Sequence, residues 1–280
     1  MSVEHNKQHQ AQLYFCPLVA SALDTAQQAQ LMALLPDDER RKINRLYRQE
    51  ARDKALMVRG YLRILLSQYA RLWQVEIAPN QWQFDYGDKG KPALSAADFR
   101  LTGIHFNISH SGEWLVISLF RSHATAGPLE LGVDIERSRA STNIYAILSH
   151  YFTDSESQAL LALPEISQRQ RFFDLWALKE SYIKAKGLGL AMSLKGFSFK
   201  MNKATTTPMT LFGERQTSKI DVDNGIELQL HDVDDDPQHW SILFGRLDDE
   251  YRFAISINLA QSPAWTAQLV SPQQVFDLAN

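Results

Sequence analysis

The sequence predicts an α+β fold in two halves of similar pattern. Three observations carry this. The segments run strand, helices, strands, and then strand, helices, strands again. Each half holds one long helical segment, at residues 51–73 and 168–186. The chain has 280 residues, 45% hydrophobic and 22% charged, which is enough for a sizeable core without disulfide or metal staples.

In the first half, residues 13–19 read as an apolar strand holding Cys16. Asp24 and Thr25 can cap a helix that stops at Pro36. Residues 37–47 are dense in charge, with Arg40, Arg41, Lys42 and Arg45. In the long helix that follows, Val58, Leu62, Leu65, Leu66, Tyr69 and Trp73 recur at helical spacing. Residues 82–86 alternate like a strand, and 87–92 form a turn-rich loop with Lys89 and Lys91. Residues 106–109 and 114–120 read as paired strands around a turn at Ser111 and Gly112.

Residues 122–128 are small and polar and are expected to link a half at 1–127 to a half at 128–280. The second half opens on a strand at 129–136. Thr153 and Glu156 make a capping box. The second long helix ends at Gly187 or Gly189. Strands are expected at 197–200, 226–231, 240–246 and 251–257, with an irregular tail from Ser262 onward.

Composition narrows function. Lys and Arg total 29 against 32 Asp and Glu, a net charge of -3. A general nucleic-acid binder carries a basic excess, and this chain has none; a local basic pocket remains compatible. One cysteine allows neither an intrachain disulfide nor a cysteine-based zinc site. The first twelve residues lack the apolar core of a secretory signal. No apolar run approaches the roughly 18 residues of a membrane helix. The expectation is a soluble cytoplasmic protein.

Four motifs could carry chemistry. In Gly132-Val133-Asp134-Ile135-Glu136, strand alternation puts Asp134 and Glu136 on one face. Two adjacent carboxylates need a cation or water, and a hard divalent ion suits oxygen ligands; a solvated strand end would look the same. In Trp176-Ala177-Leu178-Lys179-Glu180-Ser181-Tyr182-Ile183-Lys184, helical spacing stacks Trp176, Glu180 and Lys184. An ordinary Glu180–Lys184 surface pair is the plain alternative. Phe106-Asn107-Ile108-Ser109-His110-Ser111-Gly112 ends a strand in a polar turn. Neighbours on a strand face opposite ways, so a Ser109–His110 nucleophile pair is disfavoured, and an anion-binding turn fits better. Last come the cations Arg41, Lys42, Lys54 and Lys91, each of which could simply be solvated. There is no H-E-x-x-H, Walker loop or G-x-G-x-x-G.

Together these motifs resemble the Sfp-type 4′-phosphopantetheinyl transferases. Gly132–Glu136, the Trp176–Lys184 motif, Gly90-Lys91-Pro92 and Phe106–Ser111 occur in the family's order, and the resemblance covers residues 36–199. It implies transfer of the 4′-phosphopantetheine arm of coenzyme A to a serine of an apo acyl or peptidyl carrier protein, with Mg2+ required and 3′,5′-ADP released. It implies two α+β halves related by a pseudo-twofold axis, in a monomer, with coenzyme A in the cleft between them. Asp134, Glu136 and Glu180 would hold Mg2+. Glu180, or a metal-bound water, would take the serine proton, and Lys184 would neutralise the phosphate under attack. Ser109 and His110 would bind the 3′-phosphate, helped by Lys91, Arg41, Lys42 and Lys54. Arg137 and Arg139, with the apolar segment after them, would meet the carrier protein. A pyrophosphate hydrolase could use the same carboxylates with water. A non-catalytic binder would have little use for the full metal set.

Overall fold

The computed structural model describes residues 10–19, 23–122 and 129–279. Its main feature is a nine-stranded sheet that passes through both halves of the chain. The elements, in chain order, are strand β1 (Ala11–Pro17), helices α1 (Thr25–Ala33), α2 (Asp37–Asn44) and α3 (Gln49–Arg71), strands β2 (Phe84–Tyr86) and β3 (Pro92–Leu94), helix α4 (Ala96–Thr102), and strands β4 (Ile104–Ser111), β5 (Trp114–Arg121) and β6 (Leu131–Arg137). Then follow helices α5 (Ile144–Tyr151), α6 (Asp154–Leu161) and α7 (Glu165–Lys186). Strands β7 (Phe197–Lys200), β8 (Thr205–Phe212), β9 (Thr217–Asn224), β10 (Glu227–Leu230), β11 (Ser241–Arg246), β12 (Tyr251–Ile257) and β13 (Trp265–Leu269) lead to helix α8 (Pro272–Ala279).

The large sheet runs β4-β5-β1-β13-β8-β9-β11-β12-β6, while β2–β3 and β10–β7 form separate pairs. Its two end strands, β4 and β6, come back together. They are joined by side chains rather than by a backbone ladder. Asn107 Oδ1 accepts from the Val133 N–H at 2.9 Å. Ser109 Oγ donates to Asp134 Oδ1 at 2.8 Å, and Ser111 Oγ to Glu136 Oε2 at 3.2 Å. The period of two along β4 puts Asn107, Ser109 and Ser111 in one row, so one strand face supplies all three links.

Three buried clusters follow from this curl. Leu13, Phe15, Val116, Val133, Ile135, Phe253 and Ile255 fill the sheet's inner face. The apolar stripe of α3 (Leu62, Leu65, Leu66, Tyr69) covers Ile104, Phe106, Leu115 and Ile117 on the outside. Helix α7 sends Phe172, Leu178, Tyr182 and Ile183 onto Trp240, Ile242 and Phe244. Helix α7 lies so close to β6 that a Cβ at Gly132 would stand 2.0 Å from Ser181 O and 2.3 Å from Ala185 N. Only glycine admits that approach.

Local signals held where they rested on caps and periodicity. Asp24 caps α1 with a full capping box, Thr153 and Glu156 do the same for α6, and Gly187, at φ 69°, ends α7. The strand expected at 82–86 shortens to β2, because Trp82 is buried and its indole N–H donates to Ser67 Oγ on α3. The irregular tail is a correction: β13 inserts between β1 and β8, parallel to both, and α8 packs Val275 and Phe276 into the first cluster. Strand β13 is short and half polar, so its identity comes from its neighbours' unpaired edges. The Thr-rich hairpin β8–β9 was also illegible, since most of its side chains are exposed. Of the expected linker, residues 123–128 lie outside the described residues.

Gly132→Ala should cost roughly 3 kcal/mol, the upper end of the overpacking range, because backbone atoms cannot swing aside. Gly87→Ala, whose added Cβ would meet only Lys91 O at 3.8 Å, should be nearly neutral. Urea unfolding of both variants measures the contrast.

Candidate active site

The seam between β4 and β6 is also where the chemistry-bearing side chains meet. Asp134 points from β6 toward β4 and is buried. Its Oδ1 takes Ser109 Oγ and the Lys184 ammonium, the latter at 2.6 Å. Lys184 Nζ also donates to Ser109 Oγ at 2.6 Å, closing a three-membered knot of strand, strand and helix. Asp134 Oδ2 is buried with no hydrogen-bond partner. A buried carboxylate oxygen left bare costs free energy unless something cationic completes it.

Glu136 stands two residues along, half-buried, on the same face. Helix α7 contributes Glu180 one turn before Lys184. Burial pushes the Glu180 carboxyl up to about 7, and the charges of Asp134 and Glu136 push the same way. Burial also raises Glu136, with Asp134 adding to it. Burial raises Asp134 against the opposing pull of Lys184 and Ser109. The charge of Asp134 is therefore felt by both glutamates. Oxygen donors and an unpartnered buried Oδ2 fit a hard divalent cation. Among the described residues, however, no group of three His, Cys, Asp or Glu side chains is drawn together closely enough to hold a metal ion. Lys184 is turned to Asp134 and not to Glu180, so the plain i,i+4 surface pair is not formed. Trp176, one turn before Glu180, stacks on Phe172 at 5.9 Å and meets Tyr151 edge-on.

A cleft opens beside this knot. A cavity of about 390 Å3 is lined by Val58, Arg59 and Leu62 of α3, Phe84 and Tyr86 of β2, and Ser109, His110 and Lys184. A second, of about 280 Å3, shares Gly90, Pro92, Ile108 and Lys184 with it and reaches Glu180. His110 keeps access to solvent. The protein packed around its ring, then Lys184, Lys54 and Arg59, hold its pKa below the ordinary value. Near neutral pH the ring is therefore uncharged until an anion arrives.

The expected basic residues separate by position. Lys42 pairs with Asp38 and lies over the Tyr86 ring, at the cleft rim. Lys54 pairs with Glu50 and donates to Gly112 O, bracing the β4–β5 turn beside His110. Arg41 is exposed on α2 and does not line the cleft. Ser109 and Lys91 are engaged with other protein groups in this structure. Ser109 spends its hydroxyl on Asp134 and Lys184, and Lys91 donates to the backbone oxygens of Leu131 and Ala185. Both also line the cleft. Arg59 was missed. It lines the cleft and reaches toward Glu39, which Arg63 holds at 3.0 Å. The available signal was two arginines one turn apart within the otherwise apolar stretch 55–66 of the helix.

The segment from Arg137 to Tyr151, expected to meet the carrier, also divides. Arg137 pairs with Glu250 at 2.9 Å and lies over Tyr251, so its charge is largely spent. Arg139 reaches Ser111 Oγ at 3.4 Å, beside Glu136. Ile144 and Leu148 are core residues, whereas Tyr145 and Tyr151 are exposed on α5.

Known proteins give this arrangement a class. Residues 130–255 match the 4′-phosphopantetheinyl transferase superfamily, and residues 24–120 match the N-terminal region of 4′-phosphopantetheinyl transferases. The chain is 32% identical to the 4′-phosphopantetheinyl transferase HetI of Nostoc over 58% of its length and 63% of that protein's. It is 30% identical to the 4′-phosphopantetheinyl transferase Sfp of Bacillus subtilis over 65% of its length and 73% of the relative's. A phosphopantetheinyl transferase of Thraustochytrium is 24% identical over 83% of this chain and 73% of its own. The chain belongs to the Sfp-type 4′-phosphopantetheinyl transferases, and it is an enzyme of that class. Among the described residues, no helix is long and apolar enough to cross a membrane.

Glu180 sets a pH dependence. Its ordinary value is 4.5 and its value in the fold about 7. Between these the folded protein holds a proton that the unfolded chain has lost. Stability should fall as pH rises through that window, by a total on the order of 3 kcal/mol, and level off above it. In chelator-treated buffer, Glu180→Gln should make the slope shallower, Glu136 and Asp134 still contributing, and raise stability more at about pH 8 than at about pH 5. Thermal melts across the range measure this.

Proposed function

We propose that this protein transfers the 4′-phosphopantetheine arm of coenzyme A to a serine hydroxyl of an apo acyl or peptidyl carrier protein, releasing 3′,5′-ADP, with Mg2+ required. The observation that carries the reading is the junction of Asp134, Glu136, Glu180 and Lys184 at the end of a cation-lined cleft. Phosphoryl-type transfer asks mainly for positioning and charge stabilisation. The chain needs no nucleophile of its own, because the carrier serine supplies it. That accords with the lack of a Ser–His–Asp arrangement at the Ser109–His110 turn.

In this reading residues 1–127 hold the adenosine side and residues 128–280 the catalytic motifs, as two halves about a pseudo-twofold axis. His110 and Arg59, with Lys54 and Lys42 near them, face the 3′-phosphate. Asp134, Glu136 and Glu180 would hold Mg2+, which when bound neutralises pyrophosphate charge and stabilises the leaving group. Lys184, already at the cleft wall, offers its ammonium to the phosphate under attack. The serine oxygen forms a bond to the β-phosphorus, and the bond to the 3′,5′-ADP oxygen breaks. The serine proton passes to Glu180, which lines the cleft beside Lys184. The protein acts as a cytoplasmic monomer.

Incubation with coenzyme A, Mg2+ and a panel of apo-carrier proteins, read by mass spectrometry, tests the whole. The expected result is one phosphopantetheine added to a carrier serine, and no addition with Asp134→Ala. Loss of coenzyme A without modified carrier would establish the hydrolase reading instead.

Arg139 and Arg137 should behave differently toward the carrier. Arg139→Glu is expected to raise the KM for carrier and flatten its salt dependence while sparing that for coenzyme A. Arg137→Glu, already neutralised by Glu250 in the parent, should do much less. Steady-state kinetics at two ionic strengths separates them.

A further inference from the structure

We infer that Lys91 is a positioning residue that clamps the two catalytic elements together, and not a ligand for a phosphate of coenzyme A. The inference rests on the transferase reading for its kinetic arm only.

Lys91 ends the tight turn between β2 and β3. Gly87 N–H donates to Lys91 O at 3.0 Å, and Gly90 takes φ 82° to close the turn. This lays the Lys91 side chain across Gly187, where a Cβ would stand 3.2 Å from Lys91 Cδ. The ammonium then donates to Ala185 O at 2.8 Å and to Leu131 O at 3.0 Å. Ala185 is in the last turn of α7, where carbonyls lack intrahelical partners and favour a cation. It adjoins Lys184. Leu131 begins β6, three residues before Asp134, and β6 has a ladder partner, β12, on one side only. One ammonium thus ties the strand of Asp134 and Glu136, the helix of Glu180 and Lys184, and a hairpin that walls the cleft. Two of its three protons are committed to neutral carbonyls, and the side chain is half-buried.

The test is Lys91→Met, which keeps the stem and removes the donors. In the free protein, hydrogen exchange should speed up at the C-terminal turn of α7 and at the start of β6. The kcat should fall by up to about 100-fold, the scale of an ångström-level misplacement. The preference for coenzyme A over dephospho-coenzyme A should stay unchanged. Normal exchange, with KM for coenzyme A raised by roughly 10- to 100-fold and the preference lost, would overturn the inference. A second measurement needs no variant. In the wild-type protein, acetic anhydride should acylate Lys91 at the same rate with and without coenzyme A, whereas protection only when coenzyme A is bound would overturn the clamp. If the wild type modified no carrier, the transferase reading would fail while exchange and acylation still decided the role of Lys91.

Discussion

A sheet edge without a ladder partner has to be satisfied in some other way. In this protein the answer is the seam between β4 and β6, and the rest of the structure depends on it. Asn107, Ser109 and Ser111 replace one strand's worth of backbone bonding with three side-chain links. Side chains keep the two strands farther apart than a ladder would. They also leave carboxylate oxygens facing the gap. The same substitution that closes the sheet therefore creates the site.

The seam needs a lid, and α7 supplies it. Gly132 lets the helix descend until backbone meets backbone, which sets Glu180 and Lys184 over Asp134. This arrangement is costly. Three carboxylates share a poorly solvated space, and Asp134 Oδ2 has nothing to bond. A protein selected for stability alone would place a second cation there or an apolar side chain. Left unbalanced, the carboxylates give the seam a net negative charge, which is what the proposed cation would offset.

Lys179, Arg252 and Arg63, by contrast, each meet an opposite charge in the core. Lys179, next to Glu180, faces away into the core, where it binds Glu156 and two backbone oxygens. Arg252 and Arg246 share Asp174, and Arg63 holds Glu39. On α7 the inward Lys179 and the seam-facing Glu180 and Lys184 thus have opposite duties. The paired ion fixes the helix's rotation, and that rotation aims the others. The net charge of -3 hides this division. Five cations (Lys42, Lys54, Arg59, Lys91, Lys184) gather near the cleft of an acidic molecule.

The sequence by itself determined the two long helices, the caps of α1 and α6, the Gly187 stop of α7, most ladder strands and the motifs that hold Asp134, Glu136, Glu180, Lys184 and His110. Those signals are local: a period, a cap, a strand alternation, each written within a few consecutive residues. Tertiary structure alone decided that β13 belongs to the sheet, since a short half-polar strand is defined by the edges it fills. It decided as well that Ser109 links Asp134 to Lys184 and that Lys91 bonds backbone oxygens. It also decided that Arg137 is spent on Glu250 while Arg59 lines the cleft. A cationic or hydroxylated side chain has many partners open to it along the chain. Which one it takes depends on what the fold brings within about 3 Å, the reach of a hydrogen bond, and no spacing in the sequence records that distance.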